Sequence, residues 1–191
     1  MRAHHQSVWM LAAVLACSVP PAWADGPGDN SYENVRRVPK LGVEVSDADR
    51  AELESGLKSL AEKLSPLRRL DPYHQYFDFV PDVEIFHRAV DQALRYQEFF
   101  DAKEIPVAKK LLQIGLERAD LLMQGKPQWL QQTGLVVRGY RSKIDHTVQP
   151  YGLIIPENYF NEPNRPRRLD LWFHGRGETL SEVNFIQGRL N

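Results

Sequence analysis

Cysteine is nearly absent from the sequence, which contains only Cys17, close to its start. A disulfide framework or a cysteine-type zinc site needs several cysteines at defined spacings, so the sequence excludes both. Cys17 also lies in a segment that is expected to be removed on export, and a cysteine nucleophile is then excluded as well. The fold must therefore be stabilised by the packing of its side chains.

Several catalytic motifs are also missing. No serine of the sequence lies in a G-x-S-x-G nucleophile elbow, and no H-E-x-x-H or C-x-x-C spacing occurs. His74 and His87, and the pair Asp145 and His146, therefore have no spacing typical of metal ligands. We expect neither a metal site nor a cofactor.

The sequence has no excess of charge of either sign. It contains 24 basic and 25 acidic side chains and carries a formal net charge of -1. Such a chain has no electrostatic basis for binding nucleic acid or anionic lipid, so small or neutral substrates are the more suitable partners. The hydrophobic share of 42% and the charged share of 26% are those of an ordinary globular protein.

The one long apolar run, Val8 to Val19, lies in residues 1–24. It is shorter than the roughly 20 residues that a membrane-spanning helix needs. The run is followed by Ala22-Trp23-Ala24, which fits a small-x-small cleavage site, so residues 1–24 are interpreted as a secretory signal peptide. We expect a secreted or periplasmic protein that leaves the membrane after cleavage. A lipid anchor at Cys17 is the alternative.

The middle of the sequence predicts a helical unit over residues 46–128. Residues 25–45 before it are rich in turn formers and predict a flexible lead-in. Apolar residues then recur at helical spacing in three segments. The first begins after the N-cap Ser46 and stops at Ser65-Pro66, the second begins near Asp82, and the third runs from Pro106 to Gly125.

From residue 129 the pattern changes to β-structure, which predicts the start of an α/β domain over residues 129–191. Gly134 to Ile144 and Gln149 to Ile155 are rich in β-formers and predict a hairpin. Pro150 indicates that its strand either lies at a sheet edge or begins only after this residue. Leu169 to Phe173 is apolar without alternation, which predicts a strand buried on both faces. A final helix is expected from Ser181, or slightly earlier. The fold class is α/β, with a helical unit followed by the first strands of an incomplete sheet.

Three arginines precede the predicted buried strand, at positions 165, 167 and 168. They are interpreted as solubilising neighbours of an aggregation-prone segment. The strand is followed by His174-Gly175-Arg176-Gly177. Glycine permits a close approach of the backbone, so this run is typical of a strand that ends in a tight turn. An ordinary strand-exit turn needs no more than these two glycines.

Two stretches carry a resemblance to a known family, S-K-I-D-H-T-V-Q-P-Y-G-L-I-I-P-E-N-Y and L-D-L-W-F-H-G-R-G-E. Residues Gly134 to Gly177 thereby resemble the start of the catalytic domain in secreted α/β-hydrolases of the prolyl-oligopeptidase and esterase type. His146 departs from the pattern, because it stands where the family's turn usually has glycine. Histidine is several-fold enriched among non-glycine residues with left-handed backbone, so we expect the turn to persist.

The resemblance implies that His174, Gly175, Arg176 and Gly177 form an oxyanion-hole loop. The backbone N–H groups of the last three would bind the negative oxygen of a tetrahedral intermediate. The serine, aspartate and histidine of the triad would lie beyond Asn191, so the chain is expected to be inactive by itself and to lack the C-terminal part of its own domain. The implied substrate is a small ester or peptide.

A non-catalytic function stays open as the alternative, namely an extracytoplasmic binding module for polysaccharide or protein. The aromatic residues Tyr73, Tyr76, Phe77 and Phe79 suit a carbohydrate platform, but they suit the packing of a helix linker equally well. Trp129 similarly either lines a substrate wall or packs at the junction of helices and sheet.

Overall fold

The computed structural model describes residues 40–162, 164–173, 175 and 177–190. The proposed signal peptide and most of the lead-in lie outside these residues, so both stay predictions. Within the described part, the chain forms these elements in order: α1 (Asp47–Leu67), a 3₁₀ turn (Phe77–Phe79), α2 (Pro81–Tyr96), α3 (Glu104–Met123), a second 3₁₀ turn (Gln128–Gln131), β1 (Gly134–Arg141), β2 (Val148–Ile155) and α4 (Glu182–Gln187).

Helix α1 begins where its cap predicts and ends slightly later than expected. The Ser46 hydroxyl accepts a hydrogen bond from the Asp49 N–H at 3.1 Å, which satisfies one of the free donors of the first turn. The helix continues through Pro66 to Leu67, because Leu67 is itself buried in the core and the Arg68 N–H still bonds to the Leu64 carbonyl.

Helices α2 and α3 agree with the predicted positions to within a few residues. Pro81 opens α2, where its fixed φ suits the first turn. The helix ends at Tyr96, because Gln97 adopts the left-handed conformation with φ 56°. The turn after Gln97 directs Phe99 into the core, where it is fully buried, whereas Phe100 is only partly buried.

The two strands form the expected antiparallel hairpin. Gly134 lies opposite Ile155 and Arg141 opposite Val148. His146 adopts φ 59° in the turn, so the left-handed position that the sequence analysis assigned to it is confirmed. Pro150 lies opposite Gly139 in a strand that pairs with β1 alone among the described residues, so its predicted place at a sheet edge is confirmed.

One apolar core joins the helices and the hairpin. The leucines of α1, Phe86 of α2, Val137 of β1 and Val183 and Ile186 of α4 are all buried in it. Residues of both predicted units, 46–128 and 129–191, thus contribute to this core, and their assignment to separate domains stays a prediction. With helices packed on a two-stranded antiparallel sheet, the described fold is compatible with the α/β class in a coarse sense.

The segment from Leu169 to Phe173 differs from its prediction. It forms neither helix nor strand, and it lies largely exposed instead of buried on both faces. The physical reason is that a strand exists only with a partner, and no strand among the described residues lies beside this segment. Its apolar pattern alone therefore did not determine its structure.

The described helices include none that is both long enough and apolar enough to cross a membrane.

Gly139 supports a first prediction, because β1 and the start of α2 lie in direct contact there. A Cβ atom at this position would overlap the Pro81 carbonyl oxygen, which is backbone and cannot rotate away. We expect Gly139→Ala to lower the free energy of unfolding by about 1–3 kcal/mol, measured by urea denaturation. The matched control is Gly175→Ala, because a Cβ at Gly175 would meet no atom within 4 Å. An equal effect of the two substitutions would contradict the close contact.

Candidate functional site

The loop between β2 and α4 contains the predicted site. At one end, β2 is held by the hairpin pairing. At the other, α4 is tied to the helices, since Glu182 pairs with Arg88 at 3.2 Å and the Asn184 amide donates to the Glu104 carboxylate at 2.8 Å. Both ends of the candidate loop are therefore attached to the folded core.

Two of the four predicted oxyanion residues can be located. His174 and Arg176 lie outside the described residues, whereas Gly175 and Gly177 are described. A Cβ at Gly175 would enter open space, and one at Gly177 would make an ordinary contact of 3.5 Å with Leu180. The assignment of the loop as an oxyanion hole stays a prediction.

The segment before these glycines is an exposed apolar surface. Its four large side chains have between 72% and 89% of their surface exposed: Leu169, Leu171, Trp172 and Phe173. We call residues 169–173 the apolar segment. Soluble proteins rarely leave adjacent large apolar side chains uncovered without a binding partner for them. The segment is consequently the strongest indication of an unfilled contact near the candidate site.

The arginines before the apolar segment are held by local contacts. Arg167 donates to the carbonyls of Glu162 and Asn158 at 2.9 and 3.1 Å, with its guanidinium 4.9 Å from the centre of the Tyr159 ring. Arg168 pairs with Asp170 at 2.9 Å. These arginines organise the loop and give the apolar segment a charged neighbour, in keeping with the predicted solubilising position.

A second polar cluster, which no pattern in the sequence predicted, lies at the junction of helices and sheet. The Asp82 carboxylate, fully buried in the first turn of α2, accepts three hydrogen bonds. The donors are the Trp129 indole N–H at 2.9 Å, the Arg138 Nε–H at 2.7 Å and the Gly139 backbone N–H at 2.7 Å. We call these contacts the Asp82 network. Trp129 is therefore a packing residue, and its interpretation as a substrate wall is wrong.

Arg118 of α3 extends this network. Its guanidinium donates to the carbonyls of Asp82 and Val137 at 3.2 and 3.1 Å, and it lies about 5 Å from the centres of the Phe86 and Trp129 rings. Burial lowers the pKa of Arg118 to about 10, so the side chain stays charged at neutral pH. The charge is compensated by the ring faces, the two carbonyls and the nearby Asp82 carboxylate.

The Asp82 network has a structural role. Burial raises the pKa of the Asp82 carboxyl, whereas Arg138 and the N–H donors lower it. Both oxygens of the carboxylate already accept hydrogen bonds, and the group is inaccessible to solvent. It therefore offers no atom to a substrate. The sequence signal was an aspartate in the first turn of a helix, which is ordinary by itself.

Within the part of the chain that the structure describes, no group of three or more histidine, cysteine, aspartate or glutamate side chains could hold a metal ion. His87 lies partly buried on α2, where burial lowers its pKa.

Comparison of the chain with models of protein families, with curated proteins and with solved structures finds no match in any of the three.

The Asp82 network supports a second prediction. Asp82→Asn keeps the shape of the side chain but leaves Arg138 and Arg118 without their carboxylate, and breaking a buried ion pair typically costs 3–5 kcal/mol. We expect the free energy of unfolding to fall by about 3 kcal/mol or more in urea denaturation. Asp78→Asn is the matched control, because Asp78 is exposed nearby. A loss as small as that of the control would show that the network does not stabilise the fold.

Proposed function

We propose that this chain is the N-terminal portion of an exported serine hydrolase, which cleaves an ester or peptide bond by acyl transfer. The observation that carries the proposal is the apolar segment, which lies exposed directly before Gly175 and Gly177. A short unalternating apolar run is suited to a strand inside a sheet that is covered on both faces. Such a sheet is present in the secreted α/β-hydrolases that residues 134–177 resemble.

The apolar segment supports this proposal through its energetics. Full burial of a large apolar side chain is worth about 1.5–3 kcal/mol, so four exposed ones forgo several kcal/mol of stabilisation. A strand on each side of the segment would provide hydrogen-bond partners for its backbone N–H and C=O groups. Packing above and below the sheet would cover its side chains. We infer that later sequence supplies these strands, together with the serine, aspartate and histidine of the triad.

In the proposed enzyme, the turn at residues 174–177 binds the negative oxygen that develops in the transition state. The N–H groups of Gly175, Arg176 and Gly177 are the donors, and the ring of His174 fixes the turn. Open space beside Gly175 leaves room for a substrate carbonyl to approach the backbone. Acyl transfer by this route needs no cofactor, and the near-neutral charge of the chain suits a small ester or peptide substrate.

The reading frame that follows Asn191 tests the proposal directly. We expect a G-x-S-x-G elbow, followed along the chain by the aspartate and then the histidine, because this is the order in α/β-hydrolases. The measurement is the nucleotide sequence downstream of the codon for Asn191. A frame without a serine elbow would overturn the proposal.

The oxyanion assignment is tested in the full-length enzyme by Gly175→Pro. Proline removes one N–H donor, so we expect kcat to fall by about 10²–10³ with a much smaller change in KM. Gly175→Ala is the control, because it keeps the N–H and meets open space. A thermal melt verifies folding of both variants. Near-normal kcat in folded Gly175→Pro would leave Arg176 and Gly177 as the remaining candidate donors.

Export is tested by sequencing the N-terminus of the protein recovered outside the cytoplasm. Cleavage after Ala24 gives a chain that begins at Asp25. A lipid-modified N-terminus at Cys17 would support the anchored alternative, and an intact Met1 in the cytoplasm would contradict export.

A further inference from the structure

Helix α4 fixes the C-terminal end of the candidate loop to the core. It packs against α2, α3 and β2, with Val183 and Ile186 fully buried. Its polar contacts include the ion pair of Glu182 with Arg88 and the hydrogen bond that the Asn184 amide donates to α3. A helix of six residues is too short to be stable in water by itself, so α4 is formed only while it is docked.

The Glu182 carboxylate is incompletely bonded in the docked helix. Its Oε1 atom lies 3.2 Å from Arg88 Nη1, and the same nitrogen donates a hydrogen bond to the Val148 carbonyl. Its Oε2 atom is buried and has no hydrogen-bond partner among the described residues. An ionised carboxylate loses hydration when it is buried, and this cost is offset only in part when one oxygen lacks a donor. The charged form of Glu182 is therefore poorly stabilised where α4 docks.

The other charged groups around Glu182 do not supply the missing donor. Glu98, just after α2, is a second carboxylate, and its charge repels that of Glu182. Glu104 of α3 is also acidic, and its two oxygens already accept hydrogen bonds from Asn184 and a backbone N–H. Strand β2 carries no acidic or basic side chain. Of the charged groups that face Glu182 in the described part of the chain, only Arg88 has the opposite sign.

These contacts determine how docking depends on pH. Burial raises the pKa of the Glu182 carboxyl, Arg88 lowers it and Glu98 raises it further. The net direction is upward, so Glu182 binds its proton more tightly in the docked helix than in a solvated one, and protonation favours docking. This stabilisation is fully present below the ordinary glutamate pKa of about 4.3. It is lost as the pH rises through the raised pKa of the docked helix.

We propose that α4 is a pH-sensitive latch on the candidate loop, which closes when Glu182 is protonated and loosens when Glu182 is ionised. In mildly acidic solution the neutral carboxyl occupies its buried position without an uncompensated charge. At neutral pH the ionised carboxylate is better solvated outside the core, so α4 opens more often. Opening releases the C-terminal end of the loop that carries Gly175 and Gly177.

The latch is independent of the proposed function, because it follows from the contacts of α4 and not from a reaction in the loop. The absence of a serine elbow downstream would overturn the proposed function and leave the latch untouched. A pH-independent α4 would overturn the latch and leave the proposed function untouched.

The test is hydrogen exchange of α4, followed by NMR at pH 7 and at pH 5 and corrected for the intrinsic exchange rate at each pH. The Phe185 and Gly188 N–H groups report on the helix, because they donate to the Ser181 and Asn184 carbonyls at 3.0 Å. Such amides exchange when the helix opens. We expect the opening equilibrium constant of α4 to fall several-fold from pH 7 to pH 5. Amides of α1 provide the reference for global unfolding.

Two variants identify the group that titrates. Glu182→Gln is neutral and similar in shape, so its α4 should open equally at both pH values, and less often at pH 7 than in the unmodified chain. Glu98→Gln removes the repelling charge, so the pH response should move to lower pH. Glu157→Gln is the control, because Glu157 is exposed in the turn after β2, and it should leave the response unchanged. A thermal melt verifies that each variant is folded.

The latch is contradicted by an opening constant of α4 that does not change with pH, or that rises toward pH 5. It is also contradicted if Glu182→Gln keeps the pH response, because another group would then be titrating. If Glu182→Gln opens more often than the unmodified chain at pH 7, the ionised carboxylate stabilises docking and the proposal is wrong. Exchange of α4 only through global unfolding at both pH values would overturn it as well, because the helix would not open separately.

Discussion

The structure depends on one buried carboxylate. Asp82 accepts hydrogen bonds from three donors that lie 47, 56 and 57 residues after it in the sequence, in the 3₁₀ turn after α3 and in β1. Each donor needs a partner because it is withdrawn from water, and the carboxylate needs the donors for the same reason. The contacts therefore form together, and they fix the start of α2 against β1. A buried network of this kind specifies one arrangement of helix and sheet while every member is bonded.

The same network determines where the sheet can grow. By bonding to β1, Asp82 and Arg118 remove one edge of the hairpin from further pairing. The apolar segment, which follows β2 in the sequence, is left exposed. The part of the molecule organised around α2 is thus well packed, whereas the exposed apolar side chains lie in the loop that follows β2.

Local patterns in the sequence predicted most of the helices and the hairpin. Helix α1 was predicted from Ser46 and the leucine spacing, and the turn from the tolerance of His146 for left-handed backbone, because the causes lie within a few residues. The strand at residues 169–173 was predicted wrongly, because an apolar pattern shows what a segment can bury but not whether a partner strand lies beside it. The Asp82 network was missed because its side-chain donors lie 47 and 56 residues away. At the candidate site, only Gly175 and Gly177 could be located, because His174 and Arg176 lie outside the described residues.

The most direct test of this account is hydrogen exchange of the Gly139 amide, followed by NMR. An edge-strand N–H normally exchanges readily, because only solvent lies beside it. If the N–H donates to buried Asp82, its exchange should require global unfolding, so its free energy of exchange should equal that of unfolding in urea. Rapid exchange of Gly139, at a rate like that of the exposed turn residue Lys143, would contradict the account.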